Sequence, residues 1–573
     1  MTIYKQKKFF VKGTNLMVTA GRMILKTKMP TQFTTLKAPL KTGKPGILAN
    51  PVYSTETKMP VLRSLLENAK KLANKEEISL AAELEIKGII PKQHADPQND
   101  EHKLYTLHKN IAASLLQINR PEPGSMAFAK AEDYFALTPN TPKVGGENWK
   151  KVQVLLHSPE ELLKTTKHGI EVMKSNSIDN SISTVAYVFP VAGEASRAQK
   201  YAAEHPELVD KISKLQNLSQ MGNDSLPPRF LFPISTLKGN KTLYGLMLRN
   251  ILNTSESLNL MSLVISIFNH KSSNLVIESL KNEGFGNLAK EKLDLLLGSV
   301  QSTAPRIFVS DMETTKNTYA TGHGEVPYTL AKTNMFQVMK EMGIKYLIFG
   351  NADEFLWGSD PTMIGLADKL IKGKGYNGVV FVVPNSNNQP GGGVVRDLLK
   401  PTTSFKLCES PCLPSDLSDG KTNPSAINTT FYILSVKALA SKAAHFLNLA
   451  PGLDIKTSNE RGRNEQVGCL ETWAGTEFTK NLNCAFVMAP RAGFFLGIKT
   501  LEHTHSDNIP PEIKDFPNHR FSNWSYEKLV KYLANSQPTL IQKLINGDKT
   551  AAYEIWRNGY SYLADPIITG INE

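Results

Sequence analysis

The sequence predicts an α/β protein with a sheet that is buried on both faces, and three observations support this. From about residue 180, short apolar runs alternate with amphipathic helical segments. The runs are continuously apolar, as in strands that helices cover on both sides. Between residues 322 and 354, a glycine loop, an amphipathic segment and an apolar run ending at Asp353 follow one another, as helix and strand do in such folds.

Individual strands and helices follow from the same patterns. The segment 329–342 has a helical pattern, and Ser158 followed by Pro159 predicts the start of another helix, because Ser caps helices and Pro suits the first turn. The predicted strands are 185–189, 263–268, 306–309, 346–349, 379–383, 431–434 and 484–488.

Changes in composition and hydrophobic pattern along the chain predict four regions. Residues 1–58 are basic and broken by Pro and Gly, which predicts a poorly ordered arm. Residues 59–178 are predicted to form a helical N-terminal region, with a Pro-rich loop at 121–149. Residues 179–508 carry the α/β alternation, and residues 509–573 return to helical patterning.

Composition and charge exclude several classes of protein. The chain has 573 residues, 41% of them hydrophobic and 21% charged, which is typical of a globular protein with a sizeable core. No apolar run approaches 18 residues and no secretory segment is evident, so neither a transmembrane segment nor export is predicted. Four cysteines are too few for a disulfide framework, and we therefore expect a reducing, cytoplasmic location.

The N-terminal arm has a strong charge bias. The first 50 residues contain ten Lys or Arg residues and no Asp or Glu. Two interpretations stay open: a solvated tail, or a segment that binds a protein or anionic partner such as nucleic acid or lipid.

The acidic residue after the fourth predicted strand is a candidate metal ligand. Asp353 stands two positions after Asn351, just beyond an apolar run that predicts a buried strand. This places it at the edge of the sheet where α/β enzymes bind ligands. One carboxylate there suits Mg²⁺ shared with substrate phosphates. The alternative is a carboxylate that only caps a helix or lies in a loop.

Several cations and small residues are candidate phosphate ligands. The first strand runs into a turn with Gly193, Ser196 and Arg197, where backbone N–H groups and a guanidinium suit a phosphate. Arg229 stands beside a rigid Pro turn, and Lys499 closes an apolar run from which it can reach a transferring phosphate. Each signal is weak alone, and a solvated surface residue is the alternative.

Two further groups are weaker candidates. Gly322, His323 and Gly324 predict a tight turn whose glycines permit close approach of a ligand, or simply a turn with a surface histidine. Cys408 and Cys412 are predicted to be loop cysteines rather than metal ligands, since no second pair completes a zinc site.

Taken in order, these segments resemble the eukaryotic-type UDP-sugar pyrophosphorylases, the UDP-glucose and UDP-N-acetylglucosamine enzymes. The resemblance covers about residues 184–502. It depends on the segments 263–273, 322–325, 351–353, 391–395, 427–433, 470–475, 489–491 and 498–500.

The resemblance implies a GT-A-like (Rossmann-like) mixed central sheet in a nucleotidyltransferase-like domain at 179–508, with helical N-terminal and C-terminal regions. It also implies a Mg²⁺-dependent transfer in which a sugar-1-phosphate attacks UTP and pyrophosphate leaves. Lys499, Arg197 and Arg229 would be catalytic, and Asp353 would hold Mg²⁺. The implied nucleotide- and sugar-binding residues are Gly193, Ser196, His323, Gly324, Asn351, Gly392, Asn428 and Glu471.

The sequence also departs from the family pattern. The nucleotide loop is one residue shorter, with Glu194 and Ala195 where the family has glycines, and Arg229 replaces a lysine. Glu354 follows Asp353 in place of an asparagine, and no β-helical C-terminal domain is evident. Two alternatives therefore stay open: a relative with other nucleotide chemistry, such as hydrolysis, transfer to a protein or glycosyl transfer, which a partner activates, or a non-catalytic binding protein.

Overall fold

The structure is a computed structural model. With short gaps, it describes residues 121–138, 152–191, 229–268, 296–351, 361–399, 405–447 and 452–489, together with a few short segments and single positions elsewhere.

The described elements alternate between strands and helices along most of the chain. The strands are β1 (Lys8–Phe10), β2 (Met17–Thr19), β3 (Thr34–Thr35), β4 (Met126–Phe128), β5 (Phe135–Ala136), β6 (Gln153–Val154), β7 (Ile182–Val191), β8 (Pro233–Thr236), β9 (Gly239–Thr242), β10 (Met261–Phe268), β11 (Leu296–Val300), β12 (Thr303–Phe308), β13 (Thr314–Ala320), β14 (Tyr346–Phe349), β15 (Gly378–Pro384), β16 (Gly393–Asp397), β17 (Lys406–Cys408), β18 (Ala426–Ser435), β19 (Gly452–Ser458), β20 (Glu465–Glu471) and β21 (Cys484–Met488). The α-helices are α1 (Pro159–Lys174), α2 (Glu325–Lys332), α3 (Met335–Glu341), α4 (Pro361–Lys374), α5 (Ser415–Ser418), α6 (Val436–Ser441), α7 (Ala443–Phe446) and α8 (Ala474–Asn481). Short 3₁₀ helices span Ala131–Asp133, Arg229–Leu231 and Ser410–Cys412.

A ten-stranded mixed sheet forms the centre of the fold. Its strand order is β3-β11-β10-β7-β14-β18-β15-β21-β5-β6. Eight strands run parallel to one another, whereas β3 and β18 run in the opposite direction. A four-stranded antiparallel sheet, β13-β12-β20-β19, and a three-stranded sheet, β17-β16-β4, accompany it.

Both faces of the central sheet are buried, because every side chain of β7, β14, β15 and β21 is shielded from solvent. On one face, Val188 and Leu347 belong to a hydrophobic core that includes Phe336 of α3 and Phe478 of α8. Adjacent residues of a strand face opposite sides. Accordingly, Tyr346 lies on the other face, where its hydroxyl donates to Asp368 of α4 at 2.5 Å.

Helices α1 and α4 cross with their backbones in contact. A Cβ atom on Gly169 would lie 1.8 Å from the carbonyl oxygen of Pro361, and a Cβ on Gly365 would lie 2.2 Å from that of Thr165. Only glycine fits both positions, so the two helices pack as one layer on the sheet. The side chains of Thr166 and Thr362 form a hydrogen bond of 2.7 Å across the same contact.

Most predicted strands are confirmed, and 346–349 and 484–488 match β14 and β21 residue for residue. The run 306–309 differs, since it belongs to β12 in the four-stranded sheet rather than to the central one. The predicted helix 329–342 is divided into α2 and α3, because Asn334 between them adopts a left-handed backbone with φ of 58°.

The N-terminal region differs from the helical prediction where it is described. The cap at Ser158 and the helix beginning at Pro159 are confirmed: the Ser158 side chain accepts from the N–H of Glu161. However, β4, β5 and β6 precede this helix, and β5 and β6 extend the central sheet. Residues 121–154 therefore include part of the α/β body rather than only a loop between helices.

The two ends of the chain are described only in part. Of the predicted C-terminal helical region, a few positions between 539 and 551 are described, and Asp548 caps one turn by accepting from the N–H groups of Thr550 and Ala551. Among the described residues, no helix is both long and apolar enough to cross a membrane.

Candidate functional site

Two asparagines predicted to bind the sugar lie at the same edge of the central sheet. Asn351 follows the carboxyl end of β14, after Gly350, whose N–H donates to the carbonyl of Val188. Asn428 lies near the beginning of β18, which pairs antiparallel with β14. Since the antiparallel strand begins where its neighbour ends, both side chains belong to one edge.

The structure describes half of the predicted site residues. His323, Gly324, Asn351, Gly392, Asn428 and Glu471 are described. The remaining residues lie outside the described residues or, for Arg229, have a side chain that is not described, so they stay predictions: Asp353, Lys499, Arg197, Arg229, Gly193 and Ser196.

The Gly-His-Gly turn packs against the backbone at the end of β20. The N–H of Gly324 donates to the carbonyl of Thr472 at 2.9 Å, and the N–H of Thr472 donates to the carbonyl of Thr321. A Cβ on Gly322, whose φ is 92°, would lie 2.4 Å from the oxygen of Thr472, and one on Gly324 would lie 2.3 Å from the nitrogen of Trp473. The chain's own backbone therefore accounts for both glycines.

This packing brings the imidazole of His323 to the beginning of α8. Its Nδ1 atom accepts a hydrogen bond of 3.0 Å from the N–H of Ala474, the first residue of that helix. The imidazole thereby provides a partner for one of the N–H groups that have none within the helix at its start. Because Nδ1 is the acceptor, a neutral ring carries its proton on Nε2.

An aromatic cluster lies between His323 and Asn428. The ring centroids of His323 and Phe349 are 6.3 Å apart, and Phe349 is stacked on Tyr432 with centroids 5.4 Å apart. Phe478 of α8 meets both Phe349 and Tyr432 edge to face. Buried aromatic pairs of this geometry stabilise their arrangement beyond the area they bury. The site therefore has a stiff apolar base.

Hydrogen bonds hold the amide of Asn428 in one orientation. Its Oδ1 accepts from the hydroxyl of Tyr432 at 3.1 Å and from the N–H of Thr430 at 2.9 Å. Its Nδ2 donates to Oε1 of Glu409 at 3.3 Å. Burial raises the pKa of the Tyr432 phenol far above its usual range, so the hydroxyl keeps the proton that it donates.

A β-bulge next to Asn428 creates this arrangement. The pairing of β15 with β18 shifts between Phe381 and Val382, opposite Thr429 and Thr430. Thr430 adopts φ of 60°, which is uncommon for a β-branched residue and costs on the order of 1–3 kcal/mol. Bulges of this kind are common next to active sites, where they redirect a side chain.

Glu409 is a site residue that the sequence interpretation missed. It follows β17 directly, but this short strand begins with a lysine and lacks the continuous apolar run that precedes Asp353, so its local sequence carries no comparable signal. A Cβ on Gly392 would lie 2.6 Å from the carbonyl oxygen of Cys408 and 2.7 Å from Cα of Glu409. Gly392 thus packs against the backbone that carries Glu409.

Glu471 lies on the four-stranded sheet and pairs with a cation there. Its carboxylate forms an ion pair with Lys456 of β19, which also contacts Asp454 at 3.2 Å. Burial lowers the pKa of Lys456, but the nearby acids outweigh this and the pKa ends above its usual range. No described contact links Glu471 to Asn428, and its predicted role in ligand binding stays a prediction.

The described residues include no group of three or more His, Cys, Asp or Glu side chains that could hold a metal ion. Asp353 lies outside the described residues, two positions after the described Asn351. A carboxylate and an amide oxygen are hard oxygen donors, the kind that Mg²⁺ prefers, so these residue types fit Mg²⁺.

Comparison with solved structures identifies the fold of this chain. No protein-family model and no curated protein matches the sequence. Among solved structures, the UDP-N-acetylglucosamine pyrophosphorylase of Trypanosoma brucei, solved with an inhibitor, is similar with a TM-score of 0.51 and 12% identity, over 89% of this chain and 93% of that one. The chain has a UDP-sugar pyrophosphorylase fold.

Other structures with this pyrophosphorylase fold also match. A variant of UDP-glucose pyrophosphorylase from Leishmania major, in complex with UDP-glucose, has 12% identity over 74% of this chain and 77% of that one, with a TM-score of 0.46. The resemblance inferred from the sequence is confirmed at the level of the fold by the Trypanosoma brucei structure.

Proposed function

We propose that this protein is a nucleotidyltransferase that joins a uridylyl group from UTP to a sugar-1-phosphate and releases pyrophosphate. The observation that supports the proposal best is that Asn351 and Asn428 lie at one sheet edge, and that the rings of Phe349 and Tyr432 connect Asn428 with His323. The chain that carries them has a pyrophosphorylase fold over most of its length. We further propose that the central sheet belongs to the GT-A-like class.

The proposed reaction needs alignment and charge neutralisation rather than a covalent nucleophile. Asp353, with Asn351 beside it, would hold Mg²⁺, which neutralises phosphate charge when bound. Lys499, Arg197 and Arg229 would stabilise the transferring and leaving phosphates.

The described residues would orient the sugar-1-phosphate. The neutral imidazole of His323 carries a proton on Nε2 that suits a phosphate oxygen. The paired amide and carboxylate of Asn428 and Glu409 offer a donor and an acceptor, as sugar hydroxyls require. Because Tyr432 and Thr430 hold Asn428 in place, this polar pair is preorganised before a ligand arrives.

A second candidate is nucleotide chemistry without a sugar, such as hydrolysis or transfer to a protein. The predicted nucleotide loop favours it, because Glu194 places an acid where a phosphate would bind. Under this candidate the protein consumes nucleotide in the absence of any sugar phosphate.

One assay separates these candidates. Pyrophosphate release is measured with each of the four nucleoside triphosphates, with and without a panel of sugar-1-phosphates, at millimolar Mg²⁺. Release that requires both UTP and a sugar-1-phosphate supports the proposal. Nucleotide consumption without sugar supports the second candidate. If there is no turnover, calorimetry decides: absence of UTP binding indicates a non-catalytic protein on this fold.

A further inference from the structure

Two cysteines flank Glu409, whose carboxylate accepts from the amide of Asn428. Cys408 ends β17, Glu409 follows it, and Cys412 ends the 3₁₀ helix Ser410–Cys412. Both cysteines carry thiols, and Cys408 is buried whereas Cys412 is half-buried. We propose that Cys408 and Cys412 are a redox pair, and that a disulfide between them switches the site through Glu409.

The backbone brings the two cysteines together. The Sγ atom of Cys408 lies 3.9 Å from the carbonyl oxygen of Glu409, and the N–H of Cys412 donates to the same oxygen at 2.8 Å. Both residues also pack in one small cluster with Val395, Leu413 and Leu417. Pro411 stiffens the turn between them, so the two residues are held on one short, folded loop.

The two thiols have different environments, which suggests an order of reaction. Burial raises the pKa of the Cys408 thiol to about 12, so this thiol is inert on its own. Cys412 is more accessible and reacts first. Its sulfur attacks one oxygen of hydrogen peroxide, giving a sulfenic acid and water. The sulfur of Cys408 then attacks the sulfenic sulfur, forming the S–S bond and releasing a second water.

Closing this bond would disturb the site from two sides. Glu409 lies inside the closed loop, and its carboxylate accepts from Nδ2 of Asn428. On the other side, a Cβ on Gly452 would lie 3.3 Å from Sγ of Cys412 and 2.5 Å from the ring of Trp473. Trp473 precedes Ala474, whose N–H binds His323. Oxidation would therefore reach both Asn428 and His323.

Formation of the Cys408–Cys412 disulfide is tested without an activity assay. The full-length protein is treated with hydrogen peroxide, alkylated and analysed by mass spectrometry. We expect a loss of about 2 Da, alkylation of two of the four cysteines instead of all four, and one peptide carrying the Cys408–Cys412 bond, all reversed by dithiothreitol. The variants Cys408→Ser and Cys412→Ser should not form the bond, whereas Cys484→Ser should. Addition of oxygen to Cys412 without a bond, or a bond to another cysteine, would overturn the pair.

The switching part depends on the proposed function and is tested separately. Peroxide should lower sugar-dependent pyrophosphate release by about tenfold, the effect of losing one hydrogen bond to a charged group, and dithiothreitol should restore it. Cys412→Ser should keep its activity in peroxide. An intact bond with unchanged activity would overturn the switch. If the reduced protein releases no pyrophosphate at all, the proposed function fails while the mass measurement still decides on the pair.

Discussion

The Nδ1 atom of His323 accepts a hydrogen bond of 3.0 Å from the N–H of Ala474, 151 residues later in the chain. The bond joins the Gly-His-Gly turn to the start of α8, the helix that provides Phe478 to the aromatic cluster. His323 thus has a structural role besides any role toward a ligand. The two roles predict different effects of two substitutions.

We expect His323→Ala to lower both stability and activity. Loss of the bond leaves the helix start unsatisfied, which costs about 1 kcal/mol, as for other capping residues. His323→Asn retains an oxygen that can accept from Ala474 but lacks Nε2, so it should keep the melting temperature and lose activity. Thermal melts and pyrophosphate release measure the two effects. Full activity in His323→Asn would exclude the imidazole from the reaction.

The amide of Asn428 should depend on the hydroxyl of Tyr432. Tyr432→Phe removes one donor from Oδ1 of Asn428 while it keeps the stacked ring. We expect a loss of about 1 kcal/mol in stability and a higher KM for the sugar phosphate, because the amide is less well oriented. Glu409→Gln tests the hydrogen bond from Nδ2 of Asn428, since glutamine keeps an acceptor oxygen and removes the charge. Phe381→Leu, in the neighbouring strand, serves as a packing control, and a rise in KM there as large as in Tyr432→Phe would contradict the argument.

The hypothesis of a Mg²⁺ site depends on Asp353. We expect Asp353→Ala to lower turnover by about two orders of magnitude, because a charge-neutralising ligand is lost. Chelation of divalent ions should abolish turnover in the parent protein, and added Mg²⁺ should restore it. Glu354→Asn, which installs the residue that the family resemblance indicates at this position, is the matched control and should remain active. Equal losses in both variants would show that the segment matters for folding rather than for the metal.

The fold was more predictable from the sequence than the site was. Continuous apolar runs such as 346–349 and 484–488 predict buried strands because burial on both faces leaves no polar position. The division of 329–342 at Asn334 was missed, since a left-handed residue leaves the apolar periodicity unchanged. The predicted strand 306–309 lies in the four-stranded sheet rather than in the central one, because its local pattern does not specify its partner strand.

The site depends on contacts between distant parts of the chain. The sequence predicts a tight turn at Gly322 and Gly324 but not its neighbour in space, the backbone of Thr472 and Trp473, which lies beside both glycines. Glu409 was missed because its partner Asn428 lies in another strand. Contacts of this kind are set by tertiary packing, and no local pattern announces them.

The crossing of α1 and α4 predicts a strong dependence on two glycines. Gly169→Ala would place a Cβ 1.8 Å from the carbonyl oxygen of Pro361, so the helices must separate. We expect a loss of about 3 kcal/mol or more. Gly373→Ala, at the end of α4, meets no atom within 4 Å and should instead stabilise the helix by up to about 1 kcal/mol. Chemical denaturation of both variants measures the difference. Equal stabilities would contradict the close crossing.

Asp368 is a buried carboxylate of α4 that contacts α1 through His168. It accepts from the hydroxyl of Tyr346 at 2.5 Å and pairs with His168 at 2.8 Å and Lys372 at 2.7 Å. Burial by itself raises the pKa of Asp368, but the hydrogen bonds from Lys372, Tyr346 and His168 outweigh burial, and the pKa ends below its usual range.

A lowered pKa fixes the sign of the pH dependence. The folded state binds the proton of Asp368 more weakly than the unfolded state does, so the carboxylate stabilises the fold above its unfolded pKa of about 3.9. This contribution is lost as the pH falls from there through the lower folded pKa. Urea denaturation between pH 7 and pH 3 should therefore show a smaller loss of stability below about pH 4 in Asp368→Asn than in the parent protein. Asp419→Asn, which removes an exposed carboxylate next to Lys421, should leave the profile nearly unchanged. Parallel profiles of the parent and Asp368→Asn would show that the buried network does not couple folding to protons.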